Sequence, residues 1–125
     1  MCRSNYIVFG ILVASMLGCG SPTGSSDKEP DYKGRLSAAK SMTNLTRRDS
    51  ALTAVAIDAG KAGEGQVALD AVAAMNNLTS RGSVAEKAAV ALAKAGKESD
   101  AVNVAKQIND LSRRDKVLAK IADID

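Results

Sequence analysis

The chain has 125 residues, of which 46% are apolar but only 2% aromatic, and it contains neither Trp nor His. The missing imidazole excludes a Ser-His catalytic triad and any His metal ligand. The shortage of rings leaves little that could stack on nucleic-acid bases. The net charge of +3 is spread along the chain rather than clustered, so we expect no nucleic-acid partner. The length accommodates one modest domain.

The segment 1–18 has the pattern of a secretory signal peptide. Arg3 is the only charged residue ahead of an apolar run that extends from Ile7 to Leu17. A membrane-spanning helix needs roughly 20 apolar residues, whereas the apolar region of a signal peptide is of the observed length. We therefore expect residues 1–18 to be a signal peptide and not a transmembrane anchor.

The apolar run ends in Met16-Leu17-Gly18-Cys19, which resembles the lipobox of bacterial lipoproteins. The resemblance implies cleavage after Gly18, a diacylglycerol thioether on Cys19, and acylation of the new amino terminus. Several acyl chains anchor a protein stably, while a single chain binds a membrane only marginally. Gly20 follows the cysteine instead of Asp, which implies the outer membrane and leaves open the face of that membrane. The alternative is an ordinary secretory signal followed by a free cysteine.

Residues 19–31 form the predicted lipidated cysteine and tether. Between Gly20 and Pro30 the chain is small and polar, with two prolines and no large apolar side chain. Such a composition cannot bury enough apolar surface to fold, so we expect this segment to be disordered. A chain of that length has a root-mean-square reach of about 17–20 Å, which would hold a domain just off the lipid headgroups.

The remaining segment, 32–125, contains an internal repeat, which becomes visible when the chain is aligned with itself. Aligning residues 45–77 with 78–110 without a gap gives 10 identities. Composition alone explains some of the Ala matches, but it does not explain the matches of Leu, Arg, Asn and Lys-Ala-Gly. The run Leu45–Arg48 also aligns with Leu111–Arg114, so the 33-residue repeat continues into a third unit.

Within each unit the apolar residues recur at helical spacing. Leu52, Val55, Ala56 and Ala59 lie three or four residues apart, and the other segments repeat this pattern. No alternating pattern typical of a strand competes with it. The periodicity predicts six helices, at about 32–44, 47–62, 65–77, 80–95, 98–110 and 113–124.

Polar residues and glycines mark the predicted helix ends. Thr46 and Ser112 each stand three residues before an Asp, which is a variant of the capping box and predicts that both are N-caps. Gly63 and Gly96 stand where two helices must stop, and each is expected to adopt the left-handed conformation.

A helix–turn–helix unit of about 33 residues resembles the tetratricopeptide repeat in length and in its small residues, with Ala56, Gly63 and Ala68 at matching spacing. The family's aromatic residues and terminal Pro are missing. The resemblance implies an all-α fold of antiparallel helical hairpins in a short α-solenoid; an up-down helical bundle is the alternative. It also implies a concave face that carries the ligand groove, lined here by Thr53, Ile57, Gly60, Glu86, Val90 and Ala93.

The predicted core is shallow because residues 36–125 contain 21 Ala and no aromatic residue. Each buried methyl group contributes on the order of 0.8 kcal/mol, less than a buried Leu, Val or Ile. We therefore expect Leu78→Ala or Leu111→Ala to cost about 2–5 kcal/mol. The larger side chains expected in the core are Leu45, Leu52, Val55, Leu69, Val72, Met75, Leu78, Val84, Leu92, Ile108, Leu111, Leu118 and Ile121.

The repeat places Arg48, Arg81 and Arg114 at equivalent positions in the first turn of a helix. A cation there opposes the helix dipole. Two roles are open for this basic row. It could bind anionic lipid headgroups or an acidic peptide, or it could be structural, meeting free carbonyl groups and Asp110 of the neighbouring helix end.

Nothing in the sequence predicts catalysis. The acidic residues are scattered, and none has the spacing of a glycosidase pair or a calcium loop. We therefore expect no enzymatic activity, no metal and no cofactor. The leading hypothesis is a membrane-anchored adaptor that binds an unidentified protein through its repeats. The alternative is a structural, self-associating envelope lipoprotein without a dedicated ligand.

Overall fold

The computed structural model describes residues 30–124, and all regular structure in that range is helical. Six helices follow one another in the predicted order, which confirms the all-α class. The predicted signal peptide, with Gly18 and Cys19, lies outside the described residues. The helices are α1 (Tyr32–Lys40), α2 (Leu45–Ala62), α3 (Gly65–Ala73), α4 (Leu78–Lys94), α5 (Glu98–Ala105) and α6 (Leu111–Ala122).

The three longer helices, α2, α4 and α6, each begin directly after an Asn or Asp side chain that caps them. Asn44, Asn77 and Asp110 accept hydrogen bonds from the backbone N–H groups three residues on, at 2.9–3.0 Å. The prediction of Thr46 and Ser112 as N-caps is therefore wrong. Asn44 is a stronger cap than Thr46, and Asp110 is as strong a cap as Ser112; both lie two residues earlier than the predicted caps, so each helix begins sooner.

The three shorter helices, α1, α3 and α5, end four or five residues before their predicted ends. The cap of each following helix explains the difference. A capping residue has an extended backbone, and Asn44, Asn77 and Asp110 have ψ angles of 109–112°. The chain must therefore leave the helix before it reaches them, and residues 41–44, 74–77 and 106–110 form turns instead.

The helices pack in two layers. Helices α2, α4 and α6 are successive neighbours in one layer, α1, α3 and α5 are neighbours in the other, and each helix also packs against those adjacent in sequence. This is the arrangement of stacked antiparallel hairpins that the 33-residue repeat predicts. All the longer helices therefore begin at one edge of the molecule, and the tight turns after α2 and α4 lie at the opposite edge.

Two glycines make those tight turns possible. Gly63 and Gly96 have φ angles of 79° and 81°, the left-handed conformation predicted for them. At Gly63 the turn is closed by a hydrogen bond from the Glu64 N–H to the Ala59 carbonyl oxygen, at 2.8 Å. Residues with a Cβ adopt this conformation only at a steric cost, so the short connection from α2 to α3 depends on glycine.

Helices α2 and α4, which are neighbours in one layer, approach closely because the residues between them are small. A Cβ built on Gly60 would lie 3.0 Å from the Ala88 carbonyl oxygen and 3.4 Å from the Ala91 Cβ. Backbone atoms cannot move aside as a flexible side chain can, so the absence of a side chain at Gly60 sets the spacing. The alanine-rich composition thus produces dense packing between helix axes rather than a deep core.

The core is confined to residues 36–121, all within the six helices or the turns that join them. Eight of the thirteen predicted core side chains are buried, and Leu69 and Leu118 are half-buried. Leu45, Leu78 and Leu111 are not core residues, because 57%, 57% and 62% of their surface is exposed. Each is the first residue of its helix and lies at the edge, beyond the overlap with neighbouring helices. The large cost expected for Leu78→Ala or Leu111→Ala is therefore corrected to a small one.

Candidate functional site

The basic row predicted from the repeat lies at the edge where the longer helices begin. Arg48, Arg81 and Arg114 are each half-buried and occupy the fourth position of α2, α4 and α6. The Nε atoms of Arg48 and Arg81 are buried and have no hydrogen-bond partner among the described residues. The side chains therefore lie partly against the helices, and only part of each is available to a ligand.

Two of the three described carboxylates near this row accept hydrogen bonds from backbone N–H groups. Asp49 accepts hydrogen bonds from the N–H groups of Asn76 and Asn77, at 3.0 and 2.9 Å, and so connects the first turn of α2 to the turn before α4. Asp110 accepts its hydrogen bond from the Arg113 N–H. Sequence reasoning missed this role of Asp49, because Gly82 stands at the equivalent position of the next repeat and Asp49 was assigned only to the capping-box pattern that it shares with Asp115.

A cavity of about 520 Å³ lies in the layer of α2, α4 and α6, on the half away from the starts of these helices. It is an open groove across the second half of α4, between the end of α2 and the end of α6. We call it the lysine groove. Its lining residues are Lys61, Glu86, Lys87, Val90, Ala91, Lys94, Ala95 and Lys120.

The structure places the six residues predicted to line the concave face in different surroundings. Glu86 and Val90 line the lysine groove. Gly60 and Ala93 are buried in the packing between helices. Thr53 lines a separate hollow, and its Oγ1 donates a hydrogen bond to the Asp49 carbonyl oxygen at 2.8 Å. The resemblance implies a whole helix face but does not show how closely α2 and α4 pack at Gly60.

The charge of the lysine groove is strongly positive. Four lysines surround a single acid, Glu86, whose carboxylate already pairs with the Lys120 Nζ at 3.1 Å. Two of the lysines are related to the other two by the 33-residue repeat, since Lys61 matches Lys94 and Lys87 matches Lys120. The repeat therefore places similar cations at successive positions along the groove. Between them, Val90, Ala91 and Ala95 form an apolar floor.

Comparison of the chain with protein-family models, with curated proteins and with solved structures gives no match. Within residues 30–124, no helix combines the length and the apolar character that crossing a bilayer requires. The same residues hold no group of three or more Cys, Asp or Glu side chains placed to bind a metal ion. The described residues offer two candidate surfaces: the lysine groove and the edge that carries the basic row.

Proposed function

We propose that the protein is a lipid-anchored interaction module of the bacterial cell envelope, whose lysine groove binds an acidic segment of a protein partner. The lipobox-like Met16-Leu17-Gly18-Cys19 supports the anchor, and the tether that follows would hold the helical domain near the membrane. The observation that carries the binding function is the groove itself, with four lysines above an apolar floor and one acid that is already paired.

The chemistry of the lysine groove favours an acidic peptide over a small anion. The lysines are distributed over three helices, at the end of α2, the second half of α4 and the end of α6. A single carboxylate or phosphate could meet only a few of them, whereas an extended segment with several Asp and Glu side chains could meet all of them in turn. The apolar floor would accommodate an aliphatic side chain of that segment. Charge pairs of this kind steer association and specify the partner.

The anchor is tested by replacing its cysteine. Cys19→Ala removes the thiol that the lipid would modify, so we expect the full chain to lose incorporation of radiolabelled palmitate when it is expressed in a bacterium. We also expect its processing after Gly18 to stop, because cleavage of lipoprotein signals follows lipid attachment. Gel mobility measures the processing of the signal peptide, and partition into detergent measures the attachment of the lipid. A variant that still partitions and matures like wild type would contradict the lipid anchor.

The groove is tested by photo-crosslinking in native membranes. A photoreactive amino acid at Ala91, on the floor of the lysine groove, is expected to give a discrete adduct whose partner peptide is rich in Asp and Glu. The same group at Asn103, exposed on α5 in the other layer, is the position control. Lys87→Glu with Lys94→Glu should reduce the Ala91 adduct on the order of tenfold, because two attractions become repulsions.

The matched charge control is Lys33→Glu with Lys106→Glu, two exposed lysines outside the groove. This pair changes the net charge by the same amount and is expected to leave the Ala91 adduct intact. Equal loss of the adduct in both pairs, or the same adducts at Ala91 and Asn103, would contradict binding in the groove. Mass spectrometry of the linked peptide supplies the remaining criterion, since a peptide without acidic residues would also overturn the proposal.

A further inference from the structure

Three exposed leucines mark the edge at which the longer helices begin. Leu45, Leu78 and Leu111 are the first residues of α2, α4 and α6, one repeat apart. Together with Met42, which is 40% exposed, they are the exposed large apolar side chains of the described residues. Neighbouring helices pack about 8–10 Å apart, so the leucines form a row at that spacing. We call the segments 40–49, 73–82 and 105–115 the leucine edge.

Two hydrogen bonds and one close approach show that these helix starts are adjacent. Asp49 in the first turn of α2 bonds the backbone just before α4. Gly82 in the first turn of α4 lies against Ile108 and Arg113, at the start of α6. Leu78 and Arg113 also line one hollow, and Met42 and Arg47 line another. Apolar and cationic side chains are therefore interleaved along the edge.

Charge is distributed unequally between the two ends of the helices. The leucine edge contains seven Lys and Arg but three Asp, whereas the segments at the opposite end, 31–35, 57–68 and 90–101, contain five basic and five acidic residues. Two of the three acids at the leucine edge, Asp49 and Asp110, are also occupied by backbone N–H groups. The basic excess of the domain is therefore concentrated where its apolar side chains are exposed.

We propose that the leucine edge docks on the surface of an anionic lipid bilayer, with the leucines entering the interface and the arginines meeting the headgroups. Apolar side chains interleaved with Lys and Arg are the composition that interfacial binding favours, and each basic residue near an anionic surface contributes to the attraction. A second copy of this chain would instead bring two basic edges together, and their charges would repel.

The geometry of the chain is compatible with this orientation. Helix α1 ends at the leucine edge and has nine residues, so it begins about 13 Å from the edge. The predicted tether, with its reach of about 17–20 Å, can connect that point to a lipid in the same bilayer. The proposal rests on the proposed anchor for the presence of a membrane, but binding through the edge does not itself require the lipid.

The test uses residues 20–125 without lipid, which keep the complete core, and measures flotation with vesicles of phosphatidylglycerol and phosphatidylcholine. We expect binding to anionic vesicles that weakens with added salt, and no binding to pure phosphatidylcholine. Leu45→Gln, Leu78→Gln and Leu111→Gln together should abolish flotation. Arg47→Gln with Arg113→Gln should lower the partition coefficient about 30-fold, because two basic residues no longer contribute to the attraction to the anionic surface.

The control pair is Lys33→Gln with Lys97→Gln, which removes the same charge from the opposite end and should leave binding unchanged. Circular dichroism melts verify that each variant is folded. Absence of binding to anionic vesicles would overturn the proposal, as would equal losses in the Arg and Lys pairs. A stable dimer in sedimentation that the triple leucine variant abolishes would assign the edge to a second copy instead. None of these measurements involves the lysine groove, so failure here leaves the proposed partner binding to its own test.

Discussion

Leu92→Ala is expected to lower the free energy of unfolding by about 2–5 kcal/mol, the range for a large buried side chain cut back to a methyl group. Leu92 has no exposed surface and is among the largest fully buried side chains of the described core. It occupies the position of Ala59 in the preceding repeat. Eleven of the 23 buried core residues that the structure describes are alanines, which cannot extend to fill a cavity, so little of the loss should be recovered by relaxation.

The matched control for this prediction is Leu78→Ala, the same chemical change at a residue that is 57% exposed. We expect its effect to remain within about 0.5 kcal/mol, as for other surface substitutions. Urea denaturation of residues 20–125, followed by circular dichroism, measures both. A loss at Leu78 as large as that at Leu92 would contradict the packing described for α4, since Leu78 would then have to be part of the core.

Asp49→Ala is expected to destabilise the domain by about 1–3 kcal/mol, because two backbone N–H groups lose a charged acceptor at once. The carboxylate receives the N–H groups of Asn76 and Asn77 and so fixes the turn from which α4 starts. Asp49→Asn should show an intermediate loss, because an amide retains a single acceptor oxygen.

Asp115 provides the control for this site. It lies at the equivalent position of α6, is exposed, and makes no hydrogen bond among the described residues, so Asp115→Ala should have little effect. Hydrogen exchange at the Asn76 and Asn77 amides, measured by NMR, reports the change locally, and thermal melts report it globally. Equal destabilisation by Asp49→Ala and Asp115→Ala would refute the assigned role.

The helical content and the turns could be predicted from the sequence because their signals are local. Apolar side chains three and four residues apart predict helices. Gly63 and Gly96 mark the turns independently of how the neighbouring helices pack. The repeat also predicted that equivalent helices would stack. These features depend on a few adjacent residues, and the structure agrees with the predicted helix order and with both glycine turns.

Burial at the helix starts could not be predicted in the same way. A repeat shows that Leu45, Leu78 and Leu111 are equivalent, but it does not show whether all three are buried or all three exposed. That depends on where each helix begins, and the capping-box pattern at Thr46 and Ser112 predicts starts two residues later than the ones that Asn44 and Asp110 set. A shift of two residues at a helix start decides whether a leucine precedes the helix or forms its first exposed position.

The lysine groove was only partly predictable for a related reason. The match of Lys61 with Lys94 was visible in the repeat, and Glu86 and Val90 were expected on the concave face. Only the packing of α4 between α2 and α6 shows that Lys87 and Lys120 join them. Such a surface is formed by residues distant in sequence, and its shape depends on the helix spacing that Gly60 permits.

Helix α1 gives the domain an end that can detach from the rest. It contributes two buried residues, Leu36 and Ala39, and an exposed ion pair joins its Arg35 to Asp58 of α2 at 2.9 Å. Segments with so few buried contacts open at lower free energy than the global transition. Under the proposed tether, opening of α1 would lengthen the linking segment to residue 44 and raise its reach from about 17–20 Å to about 25–30 Å. With the proposed lipid anchor, the stability of one short helix would then set the distance between the domain and the membrane.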